Sequence, residues 1–323
     1  MTPEPFTILF ANAGRRVSLI RAFGEAVRRL GLPARILGVD ANPLSPAYYV
    51  TDESFPICRI REDAYIPALL EICRRQRVKL LISLLDTDLL KLAESRETFK
   101  QHGVFVLISS PEVVRLARDK QLTQGFFTEN RIPTPRLVSY DAALKENSFP
   151  LFIKPLDGSA SQMTFRVDNR EALKFFHSYV PNPIIMEYAA GEEYTLDVFI
   201  GPGQDVRAIV PRKRLEIRAG EVSKSRIELN TEIMAAGGQA ARALARRGGL
   251  GMLNLQCIHA ADGSLKFIEI NPRFGGGCPL SIRAGYPFPQ WAVEMALGRE
   301  LSPLPAGLGD GLTMLRYDEA VFI

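Results

Sequence analysis

Between Phe267 and Pro279 the chain reads FIEINPRFGGGCP. Phe267, Ile268 and Ile270 make an apolar β run, and because side chains alternate across a strand, Glu269 and Asn271 leave it on the same face. A carboxylate and an amide oxygen side by side are hard ligands for a divalent cation. Pro272 ends the strand, Arg273 adds a permanent positive charge, and Gly275, Gly276 and Gly277 let bare backbone approach a bound group. Together these residue types suit Mg²⁺, with Mn²⁺ as the alternative ion, holding a phosphate. The competing reading is a buried strand end in which Glu269 and Arg273 merely pair; Asn271 and the run of glycines weigh against it.

Three further groups could share that chemistry. Gly251 to Ile258 reads as a strand carrying Gln256, and Asp262-Gly263 supplies a hairpin turn into the strand of Glu269. An antiparallel pairing would set Gln256 opposite Glu269 as a third oxygen ligand. In SFPLFIKPLDGSASQMTFRV, a strand from Leu151 to Ile153 delivers Lys154 at its end, and Pro155 prevents it from continuing. The small-residue turn that follows, with Gly158, Ser159 and Ser161, precedes a strand from Met163 to Val167. An ammonium beside such a loop suits triphosphate oxygens, although a plain hairpin is the commoner meaning of the pattern. In PIIMEYAAGEEYTLDVFI, Glu187 closes one strand (Ile184 to Met186) and Glu193 opens another (Tyr194 to Ile200). Two acids about a nucleoside apart can accept from an adenine amino group and from ribose hydroxyls; solvated loop acids are the bland alternative.

Residues 206 to 230 hold a basic cluster, Arg212, Lys213, Arg214, Arg218, Lys224 and Arg226, interleaved with Ile209, Leu215 and Ile217. The pattern predicts one strand face and a loop. Beside a phosphate site, such charge could neutralise an acyl phosphate or a substrate carboxylate; alone it could serve a nucleic acid, which would bind with steep salt dependence.

The elements that must position these residues begin with an alternation of strands and amphipathic helices. Strands are expected at Phe6 to Ala11, Ile36 to Val39, Leu80 to Leu85 and Val104 to Ile108, with helices at Val17 to Leu30, Ala64 to Arg75 and Thr87 to Lys100. A βαβα series means a parallel sheet with helices on both faces. The turn Asn12-Ala13-Gly14 lacks the second and third glycines of a dinucleotide fingerprint and reads as an ordinary tight turn. Asp40, Asp86 and Asp88 fall at strand ends, where open α/β sheets bind ligands, and equally suit helix N-caps. From residue 109 to 135 the style changes, with helix starts at Ser110-Pro111 and Asp119-Lys120 and a proline-marked connection from Ile132 to Pro135. A domain boundary belongs here. A long helix at about Asn230 to Arg247 then precedes the strand of Gln256.

The chain has 323 residues, 46% apolar and 24% charged, which suits a globular protein of two or three domains. Its net charge of +4 is far from the basic excess expected when nucleic acid is the main partner. The sequence shows no apolar run near the roughly 18 residues that span a bilayer and no secretory leader, so a cytoplasmic protein without a membrane partner is expected. Cys58, Cys73, Cys257 and Cys278 are scattered, and His102, His177 and His259 are isolated, which argues against zinc and against a disulfide framework.

In order and spacing, the Asp119-Lys120 helix, the strand FIKP, the Met186-Glu187 pair and the closing QC…FIEINPRFGGG resemble the ATP-grasp superfamily, in the branch of the carbamoyl-phosphate synthetase large subunit. The resemblance implies a Rossmann-like α/β pre-ATP-grasp domain at 1–110 and an α+β ATP-grasp domain at 111–323, with a small lid subdomain at about 133–190 and a larger one at about 191–323. It implies ATP phosphates on Lys120 and Lys154, the base at Glu187 with Tyr188 and Ala189 lining the hinge, and the ribose at Glu193. It further implies Mg²⁺ on Gln256, Glu269 and Asn271, with Arg273 steadying the transferred phosphoryl group; from their proximity in motif order, Arg212 and Arg214 are candidates to cradle the acyl phosphate with it. The implied activity is ligation of a small-molecule carboxylate to an amine or thiol through an acyl phosphate, in a chain able to form a homo-oligomer. An ATP-binding subunit or nucleotide sensor without ligase activity is the alternative. The loop GSASQ has fewer glycines than many members. A single ATP unit, without a second synthetase half or a glutaminase, is not expected to make carbamoyl phosphate by itself.

Overall fold

A computed structural model describes residues 4–157, 163–218 and 220–323. The chain begins with a five-stranded sheet of β1 (Phe6–Ala11), β2 (Ala34–Asp40), β3 (Glu53–Pro56), β4 (Val78–Ser83) and β5 (Phe105–Val106), in the order β3-β2-β1-β4-β5. Every pairing in it is parallel, as the alternation of strands and helices requires. The edge strand β3 was not foreseen, because ESFP has neither an apolar run nor an alternation. The helix expected over Thr87 to Lys100 forms as two shorter ones, Leu89–Glu94 and Arg96–Gln101, with Ser95 between them outside helical geometry.

A four-stranded antiparallel sheet follows, with β6 (Leu137–Val138), β7 (Leu151–Pro155), β8 (Phe165–Val167) and β9 (Pro183–Glu187) in the order β6-β9-β7-β8. Strand β7 runs on through Lys154 to Pro155, which pairs only with Pro183; neither proline has an N–H to lose there.

The third sheet holds β10 (Glu192–Ile200), β11 (Val206–Arg218), β12 (Glu221–Ile227), β13 (Gly251–His259), β14 (Leu265–Asn271) and β15 (Thr313–Leu315) in the order β14-β13-β10-β11-β12-β15. The basic cluster is two paired strands, β11 and β12, and not a strand and a loop. Its charges are internally matched: Arg212, Lys213, Arg214, Arg218, Lys224 and Arg226 pair with Asp197, Glu192, Glu193, Asp318, Glu216 and Glu228. A helix at Thr231–Arg246, capped by Asn230 on two backbone N–H groups, packs alanines and glycines closely against this sheet.

One apolar core joins the first sheet to the third. Phe10 meets Phe23 edge-on at 5.1 Å and Phe23 meets Phe274 at 5.5 Å, so the helix after β1 is anchored to the residue next to Arg273. The same cluster includes Phe199, Val210 and Trp291. Among the described residues, no helix is long and apolar enough to cross a membrane.

Candidate active site

Directly opposed residues on neighbouring strands share a face, and the register of the six-stranded sheet uses this rule twice. Glu269 on β14 lies opposite Gln256 on β13, Gln256 opposite Thr195 on β10, and Thr195 opposite Arg212 on β11. One step further along, Asn271, Asn254 and Asp197 form a parallel row. The result is a polar face built from alternate positions of otherwise apolar strands.

The Gln256 amide sits between two acids. Turned with its nitrogen inward, it donates to Glu269 Oε2 at 3.2 Å and Glu193 Oε1 at 3.1 Å. Turned by half a rotation, it adds a third oxygen to theirs. Among the described residues, no cluster of three or more His, Cys, Asp and Glu side chains suited to a metal exists. The candidate donors Glu269, Gln256 and Asn271 are all oxygen ligands with a single full charge. That set fits Mg²⁺ in the manner of sites where phosphate oxygens complete the shell, and fits poorly a cage that holds the ion by protein alone.

Two lysines face the same acid. Lys154 is only 8% exposed, and burial pushes its pKa down to about 8, against the opposing pull of Glu269 and with a further lowering by Lys120. Lys120 donates to the Leu156 carbonyl at 3.1 Å, and burial lowers its pKa also, opposed by Glu269 and Asp157. These lysines line a cleft of about 1120 Å³ with Glu187, Tyr188, Ala189, Glu193, Gln256 and Glu269. Of these, Glu187 is paired to Lys266 at 2.6 Å. Glu193, bonded to Arg214 at 3.0 Å, has its pKa raised by burial despite that partner. Gly158, Ser159 and Ser161, expected on the phosphates, lie outside the described residues.

The arginines take other partners. Arg212 is 1% exposed and clamps Asp197 with Nε at 2.7 Å and Nη2 at 2.8 Å; Asp197 also accepts from Asn254 Nδ2 at 2.7 Å and Ser281 Oγ at 2.6 Å. Arg273 bonds Asp86 at the end of the first sheet, and Glu269 acts on it only through its charge. Of the three acids expected near ligands in the N-terminal sheet, Asp86 alone reaches this region. Asp40 is an ordinary turn acid accepting from Asn42 N at 2.9 Å. Asp88 is fully buried, accepting from Asn12, Tyr65 and Ser83. Sequence reasoning missed Asp197 and Asn254; the signal available was a polar residue two positions from another in TLDVF and NLQ, each on the face already marked by Gln256.

The family model described as PylC-like, N-terminal domain matches residues 8–107, and the model described as ATP-grasp in the biosynthetic pathway with Ter operon matches 180–310. Residues 8–107 thus match a PylC-like N-terminal domain and residues 180–310 an ATP-grasp domain. A D-alanine–D-alanine ligase of Fusobacterium nucleatum is 32% identical over 97 residues, 30% of this chain and 33% of that protein. The carbamoyl phosphate synthase large chain of Rubrobacter xylanophilus is 26% identical over an alignment covering 95% of this chain and 31% of that one. The chain spans about a third of the length of each of these curated relatives. Its fold is also that of the biotin carboxylase domain of Hydrogenobacter thermophilus 2-oxoglutarate carboxylase, crystallised with MgADP, ADP and bicarbonate (TM-score 0.76, 16% identity, 96% of this chain and 74% of that one). N5-carboxyaminoimidazole synthetase from Staphylococcus aureus with ADP aligns equally well (TM-score 0.75, 14% identity, 94% and 80%).

Proposed function

We propose that this protein is an ATP- and Mg²⁺-dependent ligase that joins a small-molecule carboxylate to an amine, or to a thiol, through an acyl phosphate. The observation that carries this reading is that Glu269, Gln256, Lys154 and Lys120 line one cleft with Glu187, which β9 sets three residues along from the position paired with Lys154. In this reading Glu187 and the backbone of Tyr188 and Ala189 take the adenine, and Glu193 the ribose. Lys120 and Lys154 hold the phosphates, and Glu269, Gln256 and Asn271 hold Mg²⁺. When bound, Mg²⁺ supplies charge neutralisation and alignment of the phosphate oxygens.

The chain's own part is positioning. Lys154, desolvated in the free protein, regains a full partner when a triphosphate arrives. A carboxylate oxygen attacks the γ-phosphorus as the bond to the β-bridging oxygen breaks, and ADP leaves with that electron pair. The amine then attacks the acyl carbon, inorganic phosphate departs, and the ammonium loses a proton. Arg212, Arg214 and Arg273 supply positive charge around the transferred group, Arg273 while tied to Asp86.

To the same proposal belong a division at about residue 110 with a small subdomain over 133–190, a homo-oligomeric state, and a cytoplasmic setting where ATP is supplied. The test is ADP release screened over carboxylic acids and amines, with mass spectrometry of the products. ADP release that needs both co-substrates and disappears in Lys154→Ala supports the ligase; nucleotide binding without turnover on any pair would leave only a nucleotide sensor.

A further inference from the structure

Strand β7 ends at Pro155, and the two residues after it are gripped by two cations. Lys120 Nζ donates to the Leu156 carbonyl at 3.1 Å, and Arg118 Nη2 lies 3.1 and 3.2 Å from the two Asp157 carboxylate oxygens. Arg118 closes the helix Pro111–Arg118, Lys120 opens the helix Lys120–Glu129, and Asp119 alone separates them. We propose that Asp157 is a built-in competitor at this junction: its carboxylate holds Arg118, and an incoming polyphosphate displaces it and takes Arg118 beside Lys120. The proposal deepens the ligase reading and rests on it for the identity of the polyphosphate.

Arg118 stands where a chain of phosphates would meet it. It lines a cavity of about 510 Å³ together with Lys120, Glu269 and Asn271, the first proposed for the phosphates and the other two for Mg²⁺. Both members of the pair are close enough to Lys120 to act on its charge. Burial lowers the Lys120 pKa, Glu269 and Asp157 oppose that, and Arg118 lowers it further. Two other acids nearby are committed elsewhere. Asp119 accepts from Gln121 N at 2.8 Å and Leu122 N at 3.0 Å, and Asp86, in the same cavity, is forked by Arg273.

The pair is arranged to yield. One nitrogen serves both carboxylate oxygens, so the two parallel bonds that make an arginine–carboxylate pair strong are not formed. The side chains are 38% and 65% exposed, and pairs so exposed contribute little. A polyphosphate offers Arg118 a fork of terminal oxygens and more charge than one carboxylate, so it wins the exchange. Asp157 is nonetheless held in place, because Leu156 N donates to the Asn182 carbonyl just before β9 at 2.9 Å. The exchange changes side-chain partners and leaves that backbone bond intact.

The test is calorimetric titration of the full chain with tripolyphosphate in EDTA, on wild type, Asp157→Asn, Arg118→Gln and the double variant, followed by ATP on the same four proteins. Asp157→Asn is expected to bind tripolyphosphate about threefold to fivefold more tightly than wild type, and Arg118→Gln about tenfold more weakly. In the Arg118→Gln background the gain from Asp157→Asn should shrink below about twofold, because the two residues act as one pair. A gain that survives in that background shows Asp157 acting through its charge alone and overturns the competition. Wild-type affinity in Arg118→Gln overturns it as well. Tripolyphosphate following the expected pattern with no heat from ATP keeps the competition and sinks the nucleotide reading. ATP and tripolyphosphate each bound equally by all four proteins does the reverse.

Discussion

Arg273 and Asp86 meet through two hydrogen bonds, Nε to Oδ1 at 2.7 Å and Nη2 to Oδ2 at 2.6 Å. One residue follows the strand of Glu269 and the other follows the last long strand of the N-terminal sheet, so this fork fixes the candidate metal strand against the first domain. The side chains are 14% and 20% exposed, which makes an unpaired member expensive. Asp86→Asn is expected to cost about 2–4 kcal/mol in urea unfolding, with Asp86→Asn/Arg273→Gln recovering part of the loss as a non-additive pair. Additive single effects would mean the two residues do not hold the sheets together.

Glu269 carries the only full negative charge of the proposed metal set, so its loss should remove what Mg²⁺ adds to nucleotide binding and leave the fold in place. Glu269→Gln keeps the shape and one oxygen. Calorimetry is expected to show wild-type protein binding MgATP at least about tenfold more tightly than ATP in EDTA, with that gap closing in the variant. A gap that survives in Glu269→Gln would move the cation elsewhere.

Lys154 ties ATP affinity to pH. Burial lowers its pKa to about 8, so the lysine of the free protein is charged below that pH and neutral above it. Triphosphate affinity should therefore fall as pH rises through about 8, with proton uptake on binding measurable by calorimetry in buffers of different ionisation enthalpy. Stability runs the other way. The unfolded lysine titrates near 10.5, so burying its charge penalises the fold fully below pH 8, and the penalty fades between about 8 and 10.5. Lys154→Met is expected to raise stability at pH 7 by an amount of order 2–3 kcal/mol while abolishing ATP turnover. A destabilised Lys154→Met would show that the amine is held by more than its charge.

The parallel first sheet and the opposition of Gln256 and Glu269 were legible because both depend on local information: periodicity in one case, a hairpin turn with its register in the other. The strand β3 was not, since Glu53–Pro56 is an exposed edge that needs no apolar pattern. The second basic strand was hidden because its pairing crosses strands, as Lys224 on β12 takes Glu216 on β11, and local composition cannot show that pairing. The same limit explains Arg273. Its proximity to Glu269 in sequence suggested a pair, whereas the partner that won, Asp86, lies 187 residues away.

Adenine preference should depend on Glu187, which faces the cleft at the end of β9 while bonded to Lys266 at 2.6 Å. A carboxylate can accept from the adenine amino group, and guanine offers a carbonyl oxygen at that position. Glu187→Gln presents a donor as well as an acceptor. It is expected to weaken ATP by about tenfold and narrow the ATP-to-GTP ratio, read by competition for a fluorescent nucleotide. An unchanged ratio would place the base elsewhere in the cleft.

Asp88 gives the N-terminal domain its own pH signature. It is 0% exposed, and burial raises its pKa to about 6, opposed by hydrogen bonds from Ser83, Tyr65 and Asn12 at 2.5, 2.8 and 2.8 Å. The folded pKa lies above the unfolded value of 3.8, so the native state binds the extra proton between about pH 4 and 6. Stability contributed by this group is therefore present below pH 4 and is lost as pH rises to 6, a change of about 3 kcal/mol if nothing relaxes. Asp88→Asn removes the ionisation and keeps an oxygen that accepts from Tyr65 or Ser83. The melting temperature of Asp88→Asn minus that of wild type is expected to climb across pH 4 to 6 and level off above it. Parallel melting curves over that window would mean that the three donors hold the carboxylate ionised throughout, and that burial is not the dominant influence on it.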